Sequence, residues 1–338
     1  MSVLSWNCRG LGSKPTVREL LSLVTKQLPM FVFISETKSI KAAVERVRIR
    51  MGFEGLFVVD KVGRGGGLAL FWRERDMATL LGYSGNHIDV LVNLPGQEPW
   101  RLTCFYGFPD QVDRHLSWDL LRDLKVRSRL PWAVIRDFND LASHTEKWGG
   151  SVHSDRLIRG FNAALRDCGL NDMGMEGHEF TWEKGKGTER WVQERLDRAV
   201  ATTEWCAMFS EAIVRNLITI NSDHSAIILD LVVRPIRQVI RRFKFESGWL
   251  LDGECRQVVE QSWAMTRGRT FMQRIQQCGV DLFRWGGDYF VKFGWRIQRL
   301  RAKLERLRSS RVQHDVNLYV RLEKELSGLL AQEEVYWR

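Results

Sequence analysis

Long apolar runs are missing from this sequence. No segment approaches the roughly 18 uncharged residues needed to cross a bilayer. The N-terminus reads Met1-Ser2-Val3-Leu4-Ser5-Trp6-Asn7-Cys8-Arg9, with no charged stretch leading into an apolar core, which argues against a secretory leader. The expected location is therefore intracellular, nuclear or cytoplasmic, with no membrane as partner. The six cysteines (Cys8, Cys104, Cys168, Cys206, Cys255, Cys278) lie far apart, and none forms a Cys-x-x-Cys pair. That excludes a zinc ribbon or thioredoxin motif and argues against a disulfide scaffold, leaving small buried hydrophobes in a reducing compartment. No internal repeat or low-complexity tract is present. The glycine run Gly63-Arg64-Gly65-Gly66-Gly67 lacks a Gly-Lys-Ser/Thr ending and precedes a strand pattern, so it reads as a hairpin turn and not as a phosphate loop.

What is present is a globular balance of 44% hydrophobic and 27% charged residues over 338 positions. At about 150 residues per domain, that length allows two domains. Lys and Arg total 51 against 41 Asp and Glu, a net charge of +10. Such an excess suits a polyanionic partner such as nucleic acid. The 14 tryptophans are scattered, as core packing requires.

Short apolar runs alternate with helical patterns over residues 1–233. A strand opens at residues 4–6 and a helical pattern follows over 16–27. The run at 30–34 is short, partly β-branched and ends at Glu36, which suits a buried strand. Hairpins are expected from residues 56–60 with 67–72, and from 88–94 with 100–106. A further run at 132–135 delivers Asp137, and 227–233 is the last strand pattern. This alternation suggests an α/β two-layer sandwich. From residue 234 the composition shifts. Residues 234–244 hold five basic residues and no acid, and 296–311 hold seven basic residues and one acid. Leu300, Leu304 and Leu307, then Leu318, Leu322, Leu326, Leu329 and Leu330, form apolar stripes. They predict a helical hairpin or coiled coil, with self-association as a further expectation.

Polar clusters close the apolar runs: Trp6-Asn7, Glu36-Thr37-Lys38, Tyr106, Asp137-Phe138-Asn139 and Ser222-Asp223-His224. Arg195-Leu196-Asp197-Arg198 precedes another run. Each alone reads as a cap, a turn or a structural histidine. Together, carboxylates, amides and one histidine gathered at a sheet edge describe a hard-metal site with a base, suited to phosphodiester hydrolysis.

In this order, Ser-Trp-Asn, Glu-Thr-Lys, Tyr-Gly-x-Pro, Asp-Phe-Asn, Arg-Leu-Asp-Arg and Ser-Asp-His resemble the endonuclease/exonuclease/phosphatase superfamily. Four further pieces resemble the endonuclease domain of plant LINE-type, non-LTR retrotransposon polyproteins. They are Ser5-Trp6-Asn7-Cys8-Arg9-Gly10-Leu11-Gly12, residues 65–72, Glu146-Lys147-Trp148-Gly149-Gly150 and Phe180-Thr181-Trp182. The tail at 329–338 resembles the linker that precedes a reverse transcriptase, so the chain reads as a truncated element or gene fragment. The resemblance implies a four-layer, DNase I-like α/β sandwich over residues 1–233, followed by a basic helical tail over 234–338. It implies a DNA endonuclease using Mg²⁺, with Mn²⁺ as the alternative ion. Glu36, Asn7 and Asp223 match the metal side. His224, Asp137, Asn139, Asp197 and Tyr106 match the catalytic side, with Asp197 orienting His224. Arg9, Arg136 and Trp182 are candidate nucleic-acid contacts.

Two positions depart from the pattern. Arg9 stands where some nucleases carry an acid. Arg136 stands where glycine normally precedes Asp-x-Asn; it either turns inward against Asp137 or Glu36, opposing the metal, or points outward from the turn. Two other functions stay open beside the endonuclease: a phosphatase of small phosphoesters, and a decayed relic that binds nucleic acid without cutting it.

Overall fold

The computed structural model describes residues 1–61, 63, 65–231 and 253–337. It divides into two compact units, Met1–Val233 and Arg234–Arg338. The basic run at 234–244 lies outside the described residues, as do Arg64 of the glycine run and the last two residues of the strand pattern at 227–233.

The first unit runs β1 (Ser2–Asn7), α1 (Lys14–Gln27), β2 (Phe31–Ser35), α2 (Lys41–Met51), β3 (Gly55–Val59), β4 (Leu68–Trp72), β5 (Ala78–Ser84), β6 (His87–Val92) and β7 (Trp100–Tyr106). It continues with α3 (Arg114–Val126), β8 (Trp132–Asp137), β9 (Lys147–Trp148), α4 (Asp155–Cys168), β10 (Leu170–Asp172) and β11 (Trp182–Lys184). It closes with β12 (Val192–Glu194), β13 (Asp197–Thr202), α5 (Thr203–Met208), β14 (Ile213–Leu217) and β15 (Ala226–Asp230). One six-stranded sheet has the order β14-β15-β1-β2-β4-β3, and the other β10-β13-β8-β7-β6-β5. A third sheet of three strands has the order β11-β12-β9, and its β11 is bridged at Trp182 to His224, just ahead of β15. The large sheets are antiparallel apart from the pairs β1–β2 and β7–β8, and both expected hairpins form.

The layers number four, as the resemblance implies, and not the two suggested by strand–helix alternation. Phe31, Phe33, Leu70, Val90, Leu102, Ile135, Ala199 and Ile227 form a core between the sheets. Leu4, Trp6, Val32, Ile34 and Phe71 face α1 and α2 on one outer side. Trp132, Val134 and Val200 face α3 and α4 on the other. The central strands are buried on both faces, so their sequences read as continuous apolar runs with no alternation to betray the second sheet. Trp6, Trp100, Trp132 and Trp205 are core residues, as the scattered tryptophans imply.

The second unit is helical: α6 (Gly253–Met265), α7 (Phe271–Leu307) and α8 (Gln313–Trp337). Thr270 and Gln273 close a capping box at the start of α7. Leu300, Leu304, Leu322, Leu326, Leu329 and Leu330 are buried as the stripes predict, whereas Leu318 and Leu307 are half-buried and Val316 and Tyr319 take the inner positions. Arg296, Arg299, Lys303 and Arg306 are exposed. No helix among the described residues is long and apolar enough to cross a membrane.

Strand ends of both sheets bring the polar clusters together. In the first sheet Asn7 is in register with Ser35, one residue before Glu36. In the second, Tyr106 is in register with Asp137, and Asp137 with Asp197. The two parallel pairs make this possible, because both strands of each pair end at the same edge.

Gly107 shows how tightly these ends meet. Its N–H donates to the carbonyl of Asp137 at 2.8 Å, and a Cβ built there would lie 2.2 Å from the carbonyl oxygen of Phe138. The Tyr-Gly-x-Pro motif therefore needs glycine for close backbone approach. Gly107→Ala is expected to cost about 1–3 kcal/mol of stability. Urea unfolding measures it, and an unchanged midpoint would show that the two turns separate freely.

Candidate active site

Six described non-glycine residues adopt positive φ, and five of them cluster at this sheet edge: Arg9, Glu36, Lys38, Arg136 and Asn139. The sixth, Leu28, caps α1. Each such conformation costs about 1–3 kcal/mol and persists only where the surroundings over-determine it. The turn bearing Glu36 is held by the glycine run: Thr37 N–H donates to the Gly67 carbonyl and Lys38 N–H to that of Gly66, both at 3.0 Å. Gly67, at φ 89°, has no room for a Cβ beside the Thr37 hydroxyl. Gly66 and Gly67 thus brace the turn that carries Glu36.

Asp137, Asp197 and His224 form the buried half of the site, with ligand-type atoms within 4.8 Å of one another. His224 Nδ1 lies 2.9 Å from Asp197 Oδ2, and its Nε2 lies 3.7 Å from Asp137 Oδ2. Burial works against charge on His224, but the Asp197 and Asp137 carboxylates outweigh it and hold its pKa up at about 9. Burial likewise opposes charge on Asp197, yet His224 and Arg136 keep that carboxyl below its usual range. For Asp137, burial prevails over the pull of His224, and with Asp197 pushing the same way its pKa is raised. Asp137 Oδ1 accepts the Asn139 backbone N–H at 3.0 Å, and Asn139 Nδ2 donates to the Gly107 carbonyl at 2.8 Å.

The half-buried side holds Glu36, Tyr106 and Asp223. Asn7 Nδ2 donates to Glu36 Oε1 at 2.9 Å and to Asp137 Oδ2 at 3.2 Å, linking the two halves. The Tyr106 hydroxyl donates to Glu36 Oε1 at 3.1 Å. Burial, together with Asp137 and Glu36, drives the Tyr106 phenol well above its ordinary pKa, so it stays a donor. Glu36 Oε2 carries Lys38 Nζ at 3.1 Å and Arg9 Nε at 3.8 Å. Burial opposes its charge, but hydrogen bonds from Asn7 and Lys38 hold its pKa low. Cys8 is no nucleophile, because burial pushes its thiol up to about 12.

The side chains on this half fit the divalent ion implied by the sequence. The Arg9 guanidinium bridges Glu36 and Asp223, so the two carboxylates share a gap that a cation already spans. Asp223 Oδ1 is buried without a hydrogen-bond partner, and hard carboxylate oxygens suit Mg²⁺. Asn7 faces the carboxylates with its amide nitrogen, while its Oδ1 accepts the Arg9 backbone N–H. In this arrangement the Asn7 amide links Glu36 to Asp137 by hydrogen bonds.

Arg136 differs from both expectations drawn for it. It is wholly buried, so it neither points outward nor reaches nucleic acid. It turns inward, but its ion pair is with Asp197 at 3.5 Å, not with Asp137 or Glu36. Arg9 is half-exposed at the mouth of the site, and Trp182 is half-buried with its Nε1 donating to Asp223 Oδ2 at 3.1 Å.

Several supporting residues carry no signal of their own in the sequence. The Thr181 hydroxyl accepts the backbone N–H groups of Leu196 and Asp197 at 3.0 and 2.9 Å. Trp6 Nε1 and the Thr219 hydroxyl both donate to the His224 carbonyl, at 3.0 and 2.8 Å. The Ser222 hydroxyl donates to the Asn7 carbonyl at 2.6 Å. Three of the four lie inside motifs that sequence reading singled out for their neighbours.

Several solved structures share this fold. One is the endonuclease domain of TRAS1, a telomere-specific non-LTR retrotransposon, at 18% identity over 69% of this chain and 99% of that one, with a TM-score of 0.50. Another is the 3′ phosphatase NExo from Neisseria bound to product DNA hairpin, at 18% identity over 68% and 98%, TM-score 0.51. A third is an AP endonuclease from Archaeoglobus fulgidus, at 15% identity over 68% and 98%, TM-score 0.53. At these identities the likeness establishes the fold alone. No curated protein matches the chain. Residues 4–224 match the family described as Endonuclease/Exonuclease/phosphatase, which takes in every cluster from Asn7 to His224. By that match and the shared fold, the chain belongs to this family of phosphoester-cleaving enzymes.

Proposed function

We propose that the first unit is a Mg²⁺- or Mn²⁺-dependent DNA endonuclease derived from a plant LINE-type retrotransposon, and that the basic helical unit adds DNA affinity. One observation carries the chemistry. A buried Asp137–His224–Asp197 group adjoins Glu36, Asn7 and Tyr106 at one sheet edge. The retrotransposon origin rests on the motifs at 5–12, 146–150 and 180–182, and DNA as substrate on those motifs and the net charge of +10.

Asp137 takes the proton of the attacking water. Its burial-raised pKa makes it a better base near neutral pH than an ordinary carboxylate. The water oxygen bonds to phosphorus as the P–O3′ bond breaks in line with it; the 5′-phosphate stays on one strand, and the departing 3′-oxygen takes a proton from solvent to become the 3′-hydroxyl. His224, held cationic by Asp197, faces the negative charge that grows on the phosphate. The Asn7 amide and the Tyr106 hydroxyl, which donate to Glu36 and Asp137 in the free protein, would turn to the phosphate oxygens when DNA binds. Glu36 and Asp223 would hold the divalent ion, which when bound neutralises phosphate charge and supports the leaving oxygen. A DNA-binding relic that no longer cuts is the second reading. It is favoured by the cations already lying on Glu36.

Nicking of supercoiled plasmid with Mg²⁺ separates the two. Wild-type protein is expected to nick, and Asp137→Ala, Glu36→Ala and His224→Ala each to lose at least about a hundredfold in rate with unchanged circular dichroism. Wild-type rates in any of the three would overturn the site. DNA binding without nicking by the wild type would establish the relic.

The His224 shift also predicts a pH dependence of stability. Its folded pKa of about 9 lies above the ordinary value of 6.5, so the folded state holds the proton more tightly. The stabilisation is complete below about 6.5 and is lost as pH rises through about 9, with a magnitude on the order of 3 kcal/mol. Urea unfolding of metal-free protein at both ends of that window is expected to show the loss in wild type and not in His224→Ala.

Truncation after Val233 is expected to weaken DNA binding and flatten its dependence on salt, because fewer counterions are released. An unchanged slope of affinity against salt would assign the DNA contacts to the first unit alone.

A further inference from the structure

Arg136 combines two costs that rarely coincide. Its φ of 136° favours glycine, and its guanidinium is wholly buried. A charged side chain persists there only where fixed partners offset both.

Strand alternation would send it the other way. Along β8, Ala133 and Ile135 face the core between the sheets, while Trp132 and Val134 face the helices. Residue 136 is therefore due on the helix side, beside its cross-strand neighbour Arg198. That side is occupied by Arg198 itself, which is paired with Glu146 and Asp172 and lies over the Phe161 ring. The positive φ turns Arg136 to the inner side together with Asp137. There its Nε and Nη2 donate to the Ser35 hydroxyl of the facing sheet at 3.2 and 2.9 Å. Its Nη1 lies 3.5 Å from Asp197 Oδ1, and neither atom has a hydrogen-bond partner. The other oxygen of Asp197 is the one that holds His224 Nδ1.

We propose that Arg136 is a positioning residue. Footed on Ser35, it braces one oxygen of Asp197 so that the other stays aimed at His224. This role rests on the phosphodiesterase reading of the site. It differs from competition with the metal, because no ion pair joins Arg136 to Glu36 or Asp223 among the described residues.

The test uses the full chain with ¹⁵N-labelled histidine and no metal. The Nδ1–H proton of His224, assigned by its disappearance in His224→Ala, is expected to be downfield and slow to exchange in the wild type. Arg136→Gly is expected to fold, since glycine accepts this φ, and to lose or broaden that signal. Arg136→Lys, which keeps the charge but not the planar fork, is expected to be intermediate. In plasmid nicking, Arg136→Gly is expected to lower kcat about tenfold or more, with KM and the half-saturating Mg²⁺ concentration unchanged within about twofold. Added to Asp197→Asn, it is expected to cost less than about twofold further, because the brace then has nothing to hold. A missing His224 signal in the wild type, an undisturbed one in Arg136→Gly, additive losses, or a lower Mg²⁺ requirement would each overturn the proposal. Wild-type protein that does not nick would remove the phosphodiesterase reading, while the His224 signal still decides the brace.

Discussion

Two carboxylates and two cations sit together out of water where the sheets meet. Asp137, Asp197, His224 and Arg136 are each at most 5% exposed. None of these charges is tolerable in isolation at such a depth, and each is stable because the others are fixed beside it. The surrounding structure serves that requirement. Thr181 holds the Asp197 backbone, Trp6 and Thr219 hold that of His224, and Ser35 anchors the Arg136 guanidinium. The parallel pairs β1–β2 and β7–β8 end at the same edge, which is how residues more than a hundred positions apart share one site.

The two halves of the site have different physics. In the buried half, ion pairs are rigid and little screened, and they set which groups carry protons. In the half-exposed one, Arg9 and Lys38 lie against Glu36 and Asp223, where water and salt weaken each pair to the order of 1 kcal/mol or less. Those cations can exchange for another ion, and the buried ones cannot. The proposed metal-assisted hydrolysis rests on this pairing of a fixed buried charge group with a weakly held cation position. Asn7 joins the halves by donating to a carboxylate in each.

Backbone strain follows the same division of labour. Five non-glycine residues in or near αL or glycine-type conformations surround one edge of a fold that is otherwise regular. Glycines stand where chains must touch, as at Gly67 against Thr37 and Gly107 against Phe138. Arg136 is the exception: it takes a glycine conformation while carrying the longest charged side chain, and Ser35 and Asp197 are what receive it.

Much of the molecule was legible in the sequence. Short apolar runs ending in Asn7, Glu36, Tyr106 and Asp137 identified strands, because strands buried on both faces leave polar residues only at their ends. The order of the clusters identified the family, and leucine spacing revealed α7 and α8 of the second unit. Strand–helix alternation by itself could not tell two sheets from one, because the central strands are buried on both faces; only the family resemblance implied the four layers that form. Tertiary structure alone decided the rest. Thr181, Thr219 and Ser35 matter through hydrogen bonds across long chain separations, which no local pattern encodes. The side chain of Arg136 was unreadable for the same reason: its direction depends on a positive φ, on Arg198 filling the opposite face, and on Asp197 waiting sixty-one residues away. Composition and spacing determine which elements form; which charges end up facing one another is settled only when the sheets close.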